Sequence, residues 1–170
     1  MSPEFQKPEY VHVVINHLPI FGTAVSALVL LMGILFRSRP VQMAGCFLVM
    51  LTTLSYWPVA NTGEDAYDRV KAMSNVVGKE WLEVHGTRAD KSGWVFYTTA
   101  ALAAVGLVML WKKWKWSFAA AILAFLFAAV SVGASFWIAS AGGKIRHSEF
   151  RSGPPSGAEN ASHSHGGHAD

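Results

Sequence analysis

The run VHVVINHLPIFGTAVSALVLLMGILFRSRP, residues 11–40, decides the structural class of this protein. It contains no Asp, Glu, Lys or Arg from residue 13 to residue 36, and it then ends on two arginines. An uncharged apolar run of about 20 residues is long enough to cross the hydrocarbon core of a bilayer as a helix. The run therefore predicts a membrane-spanning helix.

Three more runs of this kind follow in the 170-residue chain, which is 52% hydrophobic and only 15% charged. Such a composition departs from that of an ordinary soluble domain and favours the membrane class. The sequence predicts an all-α fold, an integral membrane four-helix bundle. Its predicted spans are residues 13–36, 41–60, 94–111 and 116–140.

The basic residues predict the topology of this bundle. Arg37 and Arg39 fill the turn after the first span, and Lys112, Lys113 and Lys115 fill the turn after the third. By the positive-inside rule both turns face the cytoplasm, so both termini are expected on the periplasmic side of a bacterial inner membrane. Because the excess positive charge lies at span ends, the net charge of +3 does not indicate nucleic-acid binding. Six tryptophans near the span ends suit the membrane interface: Trp57, Trp94, Trp111, Trp114, Trp116 and Trp137.

The remaining segments divide the chain into two parts. Residues 1–150 are expected to form the transmembrane domain, including a short extracytoplasmic loop, 61–92, that is helical in parts. Residues 151–170 are rich in Gly, Ser, Pro and His and predict a disordered tail. The fourth span carries small residues at four-residue spacing, which predicts close packing against neighbouring helices.

Four histidines from three separate segments are expected at the periplasmic end of the bundle. They are His12 and His17 at the first span, His85 before the third and His147 after the fourth. His17 lies inside the apolar run and precedes Pro19, which removes a helical hydrogen bond, so it is the stronger candidate for a functional group. His12 lies nearer the predicted water boundary, where a hydrogen-bonded surface histidine is the simpler interpretation.

Imidazoles that meet in a helical bundle predict a haem or metal site. His17 with His85 or His147 would bind the iron of a haem b, and Arg146 or Lys144 could pair with a propionate. A bound transition metal, or no cofactor, is the alternative. The tail contains three histidines, His163, His165 and His168. They could chelate a metal loosely, although a solvated, disordered end is the simpler interpretation. The motifs of zinc proteases, covalent haem attachment and nucleotide binding are missing from the sequence.

Four short motifs in this order resemble a group of small bacterial four-span membrane proteins catalogued as a domain of unknown function. They are NHLPIFG, TGEDAYDRV, WLEVH and AGGKIRHSE, and the resemblance covers about residues 10–150. It implies a four-helix membrane bundle with a polar outer cluster. The matching positions are His17, Pro19, Thr62, Gly63, His85, Gly142, Gly143, Arg146 and His147.

Three functions are compatible with these features. The most concrete is a b-type cytochrome-like subunit that passes electrons between membrane quinol and a periplasmic redox protein. The second is a non-catalytic accessory or anchor subunit of a larger membrane complex, with merely interfacial histidines. The third is a protein that handles transition metals, although four spans whose middles hold no charged residue make transport the weakest interpretation.

Overall fold

The computed structural model describes residues 6–151, and the chain is helical over that range, with no β-strand. Its α-helices follow in the order α1 (Pro8–Ile15), α2 (Thr23–Leu35), α3 (Arg39–Leu54), α4 (Tyr56–Met73), α5 (Val76–Trp111) and α6 (Ser117–Arg146). A π-helical segment, Leu18–Gly22, joins α1 to α2, and a short 3₁₀ turn, Ser148–Phe150, follows α6.

These elements form four rods that are long and apolar enough to cross a membrane: Pro8–Leu35, Arg39–Met73, Val76–Trp111 and Ser117–Arg146. The prediction of an all-helical chain with four such helices is confirmed. The rods are longer than the predicted spans, because α4 continues to Met73 and α5 already begins at Val76. Residues 61–92 are therefore the helical extensions of two rods, broken only near Ser74 and Asn75, whose side chain caps α5.

The π-helical segment begins where the sequence places Pro19. Proline has no N–H to donate to the carbonyl one turn earlier, so the regular helical bonding is interrupted there. Neighbouring hydroxyls accommodate the disturbed backbone. The Ser135 hydroxyl on α6 donates to the Pro19 carbonyl at 3.1 Å, and Ser26 donates to the Gly22 carbonyl at 2.7 Å. The first rod is thereby tied to the fourth at this depth.

The turns after α2 and α5 have the same construction. Arg37 and Lys113 adopt φ angles of 50° and 58°, in the left-handed region that ends a helix. In each turn the next amide donates to a carbonyl five residues back, Ser38 to Gly33 and Trp114 to Met109, both at 3.0 Å. The chain is thus two helical hairpins in succession.

Small residues bring the hairpins together. On α6, Ala124 and Ala128 are fully buried, as is Ser131, whereas Ala129 and Gly133 on the other side of the helix are exposed. The Ser131 hydroxyl lies 2.8 Å from that of Thr99 on α5. One side of the small-residue pattern therefore packs into the bundle, as small-xxx-small rows do in membrane proteins.

Candidate functional site

A cavity of about 1120 Å³ lies at the end of the bundle away from the two hairpin turns. Pocket volumes for drug-sized ligands are typically ~300–1,000 Å³, so this cavity is large enough for a bulky cofactor. Residues of α1, α4, α5 and α6 line it, among them His12, Asn16, Tyr56, Glu64, His85 and Gly142. It is therefore a space between α1 with α4 on one side and α5 with α6 on the other.

His12 extends from α1 into this cavity. Its Nδ1 lies 2.9 Å from the Val59 carbonyl on α4, and since a carbonyl only accepts, Nδ1 carries the proton. The ring rests on Gly63, one turn further along α4, where an added Cβ would lie 3.0 Å from the ring Cε1. His12 is thus fixed in tautomer and orientation, and in the neutral ring Nε2 keeps its lone pair.

His85 extends from α5 and is held in the same way. Its Nδ1 donates to the Ile138 carbonyl on α6 at 3.0 Å. The ring rests on Gly142, one turn further along α6, where an added Cβ would lie 3.1 Å from Nδ1. Nε2 is again the nitrogen with a free lone pair.

The two rings face a common space. Their centroids are 6.3 Å apart, and the ring planes are nearly perpendicular, at 88°. Two imidazoles bound in line to one metal would have centroids roughly 6–7 Å apart, since each metal–nitrogen bond is about 2.0–2.1 Å. Hydrogen bonding of Nδ1 to a carbonyl is also the usual second interaction of a ligating histidine. The separation of the two rings therefore matches that of two imidazoles bound in line to one metal.

Charged groups also line the cavity. The carboxylates are Glu9, Glu64, Glu83 and Asp90, and Arg146 also lines the cavity. Glu9 pairs through Oε1 with Arg69 at 3.4 Å, while its Oε2 is buried without a hydrogen-bond partner. Asn16 Oδ1 is likewise buried and unpartnered. Such atoms are acceptors and can pair only with a hydrogen-bond donor on a ligand.

His17 lies elsewhere. It is exposed, its Nδ1 donates to the Val13 carbonyl of its own helix at 3.0 Å, and its ring stacks on Phe21 at 5.9 Å. His12 and Asn16 are four residues apart and share one face of the helix. His17 is the next residue after Asn16 and lies on a different face. The structure therefore does not bring His17 together with His85.

His147 is also separate from the cavity wall. It follows the last residue of α6, is exposed, and donates through Nδ1 to Glu149 Oε1 at 2.9 Å. The pKa of Glu149 is lowered mainly by a hydrogen bond from the backbone N–H of Glu149 itself and, to a smaller extent, by the hydrogen bond from His147. Arg146 is exposed at the cavity margin, 3.8 Å from Met73 Sδ. The tail histidines His163, His165 and His168 lie outside the described residues.

The contact of two glycines with the histidine rings was not predicted from the sequence. Gly63 and Gly142 stood in the motifs, but only the structure shows that each lies beneath a histidine ring. A usable signal was the helical spacing of His12 and Asn16, which places two polar groups on one face. Within residues 6–151, no group of three or more His, Cys, Asp or Glu side chains is arranged to hold a metal ion.

Comparisons of the chain with protein-family models, curated proteins and solved structures found no match.

Proposed function

We propose that the chain is a b-type cytochrome-like electron-transfer protein that binds one haem b between His12 and His85. The observation that carries the proposal is the pair of imidazoles, whose ring centroids are 6.3 Å apart and each of which donates a hydrogen bond from Nδ1 to a backbone carbonyl. Two histidines on different helices are a common way for helical proteins to hold a metal centre. Haem so bound would supply reversible one-electron chemistry.

The donor set favours haem over a bare transition-metal ion. A structural or catalytic ion in a protein is usually held by three or four protein ligands, whereas a porphyrin provides four nitrogens and needs only axial ligands from the chain. Only two imidazoles meet in the cavity, and no third metal-binding side chain joins them within residues 6–151. The cavity volume of about 1120 Å³ also suits a macrocycle better than an ion.

The cavity wall offers groups for the two edges of a haem. Arg146, which lines the cavity, would pair with a propionate, as guanidinium and carboxylate are matched in geometry. The apolar surface contributed by residues such as Ile20, Phe96 and Ile138 would cover the ring. Electrons would pass between quinol in the lipid bilayer and a periplasmic redox protein or a larger membrane complex.

The proposal includes a location in the bacterial inner membrane, with both termini and the cavity on the periplasmic side. Its support is the clustering of Arg37, Arg39 and three lysines in the two hairpin turns, at the opposite end from the cavity. Membership of the small four-span family, suggested by the order of the motifs, is part of the same proposal. A reporter fused after Asp170 should be active outside the cytoplasm, and activity inside would invert this topology.

Optical spectra of the full chain, purified in mild detergent, test the function. The expected result is a Soret band and a reducible α band with about one haem per chain. His12→Ala or His85→Ala should abolish the α band. The matched controls His17→Ala and His147→Ala should retain it, because those rings lie outside the cavity. A colourless wild-type protein that copurifies with other subunits would refute the proposal and favour an accessory or anchor role.

A further inference from the structure

The two histidine sites are built alike, and the likeness extends along both hairpins. In each hairpin the first rod supplies a histidine, and the second rod supplies a carbonyl that accepts from Nδ1. In each, a glycine lies four residues after that carbonyl and beneath the ring: Gly63 follows Val59, and Gly142 follows Ile138.

The turns that close the hairpins support this equivalence independently. Both turns have a basic residue in the left-handed region, Arg37 or Lys113, and both close with the same hydrogen bond to the residue five positions back. No sequence repeat reveals the relation. The cavity thus lies between two half-sites of the same construction, one from each hairpin.

Glycine allows each ring to lie close to the helix beneath it. A Cβ on Gly63 would lie 3.0 Å from Cε1 and 3.2 Å from Nδ1 of His12. A Cβ on Gly142 would lie 3.1 Å from Nδ1 and 3.2 Å from Cε1 of His85. Ordinary carbon contacts are about 3.5–4.0 Å, so any larger residue would push either ring by several tenths of an ångström.

We propose that Gly63 and Gly142 are positioning residues that set two equivalent imidazoles on opposite sides of one haem iron, with perpendicular planes and no open coordination position. This inference rests on the proposed haem function and specifies its chemistry. An iron that holds both axial imidazoles carries electrons, whereas one with an open position binds oxygen or other small ligands. The perpendicular planes follow from the 88° angle between the rings.

Carbon monoxide and electron paramagnetic resonance test this ligation in the wild-type haem protein. The reduced protein should show no carbon-monoxide-induced shift of the Soret band. The oxidised protein should be low-spin, with the strongly anisotropic signal of perpendicular imidazoles. A wild-type protein that binds haem but reacts fully with carbon monoxide, or is high-spin, would overturn the inference while leaving haem binding intact. A wild-type protein without haem would refute the proposed function as well.

Glycine substitutions test the positioning role separately. Gly63→Ala and Gly142→Ala should retain helical circular dichroism but lose part of the low-spin signal and gain a carbon-monoxide-reactive fraction. Gly133→Ala is the matched control, because Gly133 also lies in α6 and an added Cβ there meets nothing within 4 Å. If both cavity variants kept the wild-type spin state and stayed inert to carbon monoxide, the glycines would not position the rings.

Discussion

Gly45→Ala should destabilise the bundle where α2 crosses α3. An added Cβ on Gly45 would lie 2.6 Å from the Cα of Leu30 and 2.8 Å from its backbone nitrogen. Leu30 is fully buried, and the atoms that meet the new methyl are mainly backbone, so no rotamer change relieves the contact. The two helices would have to separate by roughly 1 Å to restore an ordinary carbon contact of about 3.5–4.0 Å.

The size of the effect follows from two opposed contributions. Overpacking of a close-packed interface costs about 1–3 kcal/mol, because neighbouring contacts are weakened as the helices move apart. Replacing a helical glycine by alanine contributes up to ~1 kcal/mol in the other direction. We therefore expect a net loss of roughly 1–2 kcal/mol in the free energy of unfolding.

Titration with sodium dodecyl sulfate from a mild detergent, followed by circular dichroism and tryptophan fluorescence, would measure this loss. Gly133→Ala supplies the control, since its methyl enters open space and should leave stability unchanged or slightly raised. Equal unfolding midpoints for Gly45→Ala and Gly133→Ala would refute the close approach of α2 and α3. A loss of several kcal/mol or failure to accumulate would instead mean that the helices cannot separate at all.

Two further outcomes follow from single contacts. Ser135→Ala should lower the free energy of unfolding by ~0.5–2 kcal/mol, because the Pro19 carbonyl loses its buried hydroxyl donor. Ser148 is exposed, so Ser148→Ala should leave the free energy of unfolding unchanged in the same titration. If the chain binds haem as proposed, Glu64→Gln should raise the reduction potential by roughly 20–70 mV in a spectroelectrochemical titration, because a negative charge at this exposed position of the cavity wall would stabilise the oxidised iron. Glu149→Gln, which lies outside the cavity wall, should leave that potential unchanged.

The four rods could be predicted because a bilayer-length helix is recorded in the summed hydropathy of about 20 consecutive residues. The burial of Ala124, Ala128 and Ser131 could also be predicted from the sequence, since small residues at helical spacing indicate a close helix–helix interface. Helical parts within residues 61–92 were predicted as well, but their unbroken continuity with the second and third spans was not. Those segments are polar on average, and their helices are stabilised by packing of α4 on α1 and of α5 on α6.

The candidate site could be predicted only in part from the sequence. His85, which the sequence singled out, lines the cavity, but depth in the apolar run favoured His17 over His12. Depth along a helix does not determine the face on which a side chain lies, and here the face places His12 in the cavity and His17 outside it. The partner carbonyls of the two rings are 47 and 53 residues away in sequence, so only the tertiary fold relates them to the histidines.

Ligand exchange at His85 tests the central claim most directly. If His12 and His85 bind one iron, His85→Met should give a haem with one histidine and one methionine ligand, whose reduction potential is higher than that of the wild type. His17→Met should leave the potential unchanged, because that ring contacts Phe21 on the outer surface. An unchanged potential in His85→Met, or an equal rise in His17→Met, would contradict a shared centre between His12 and His85.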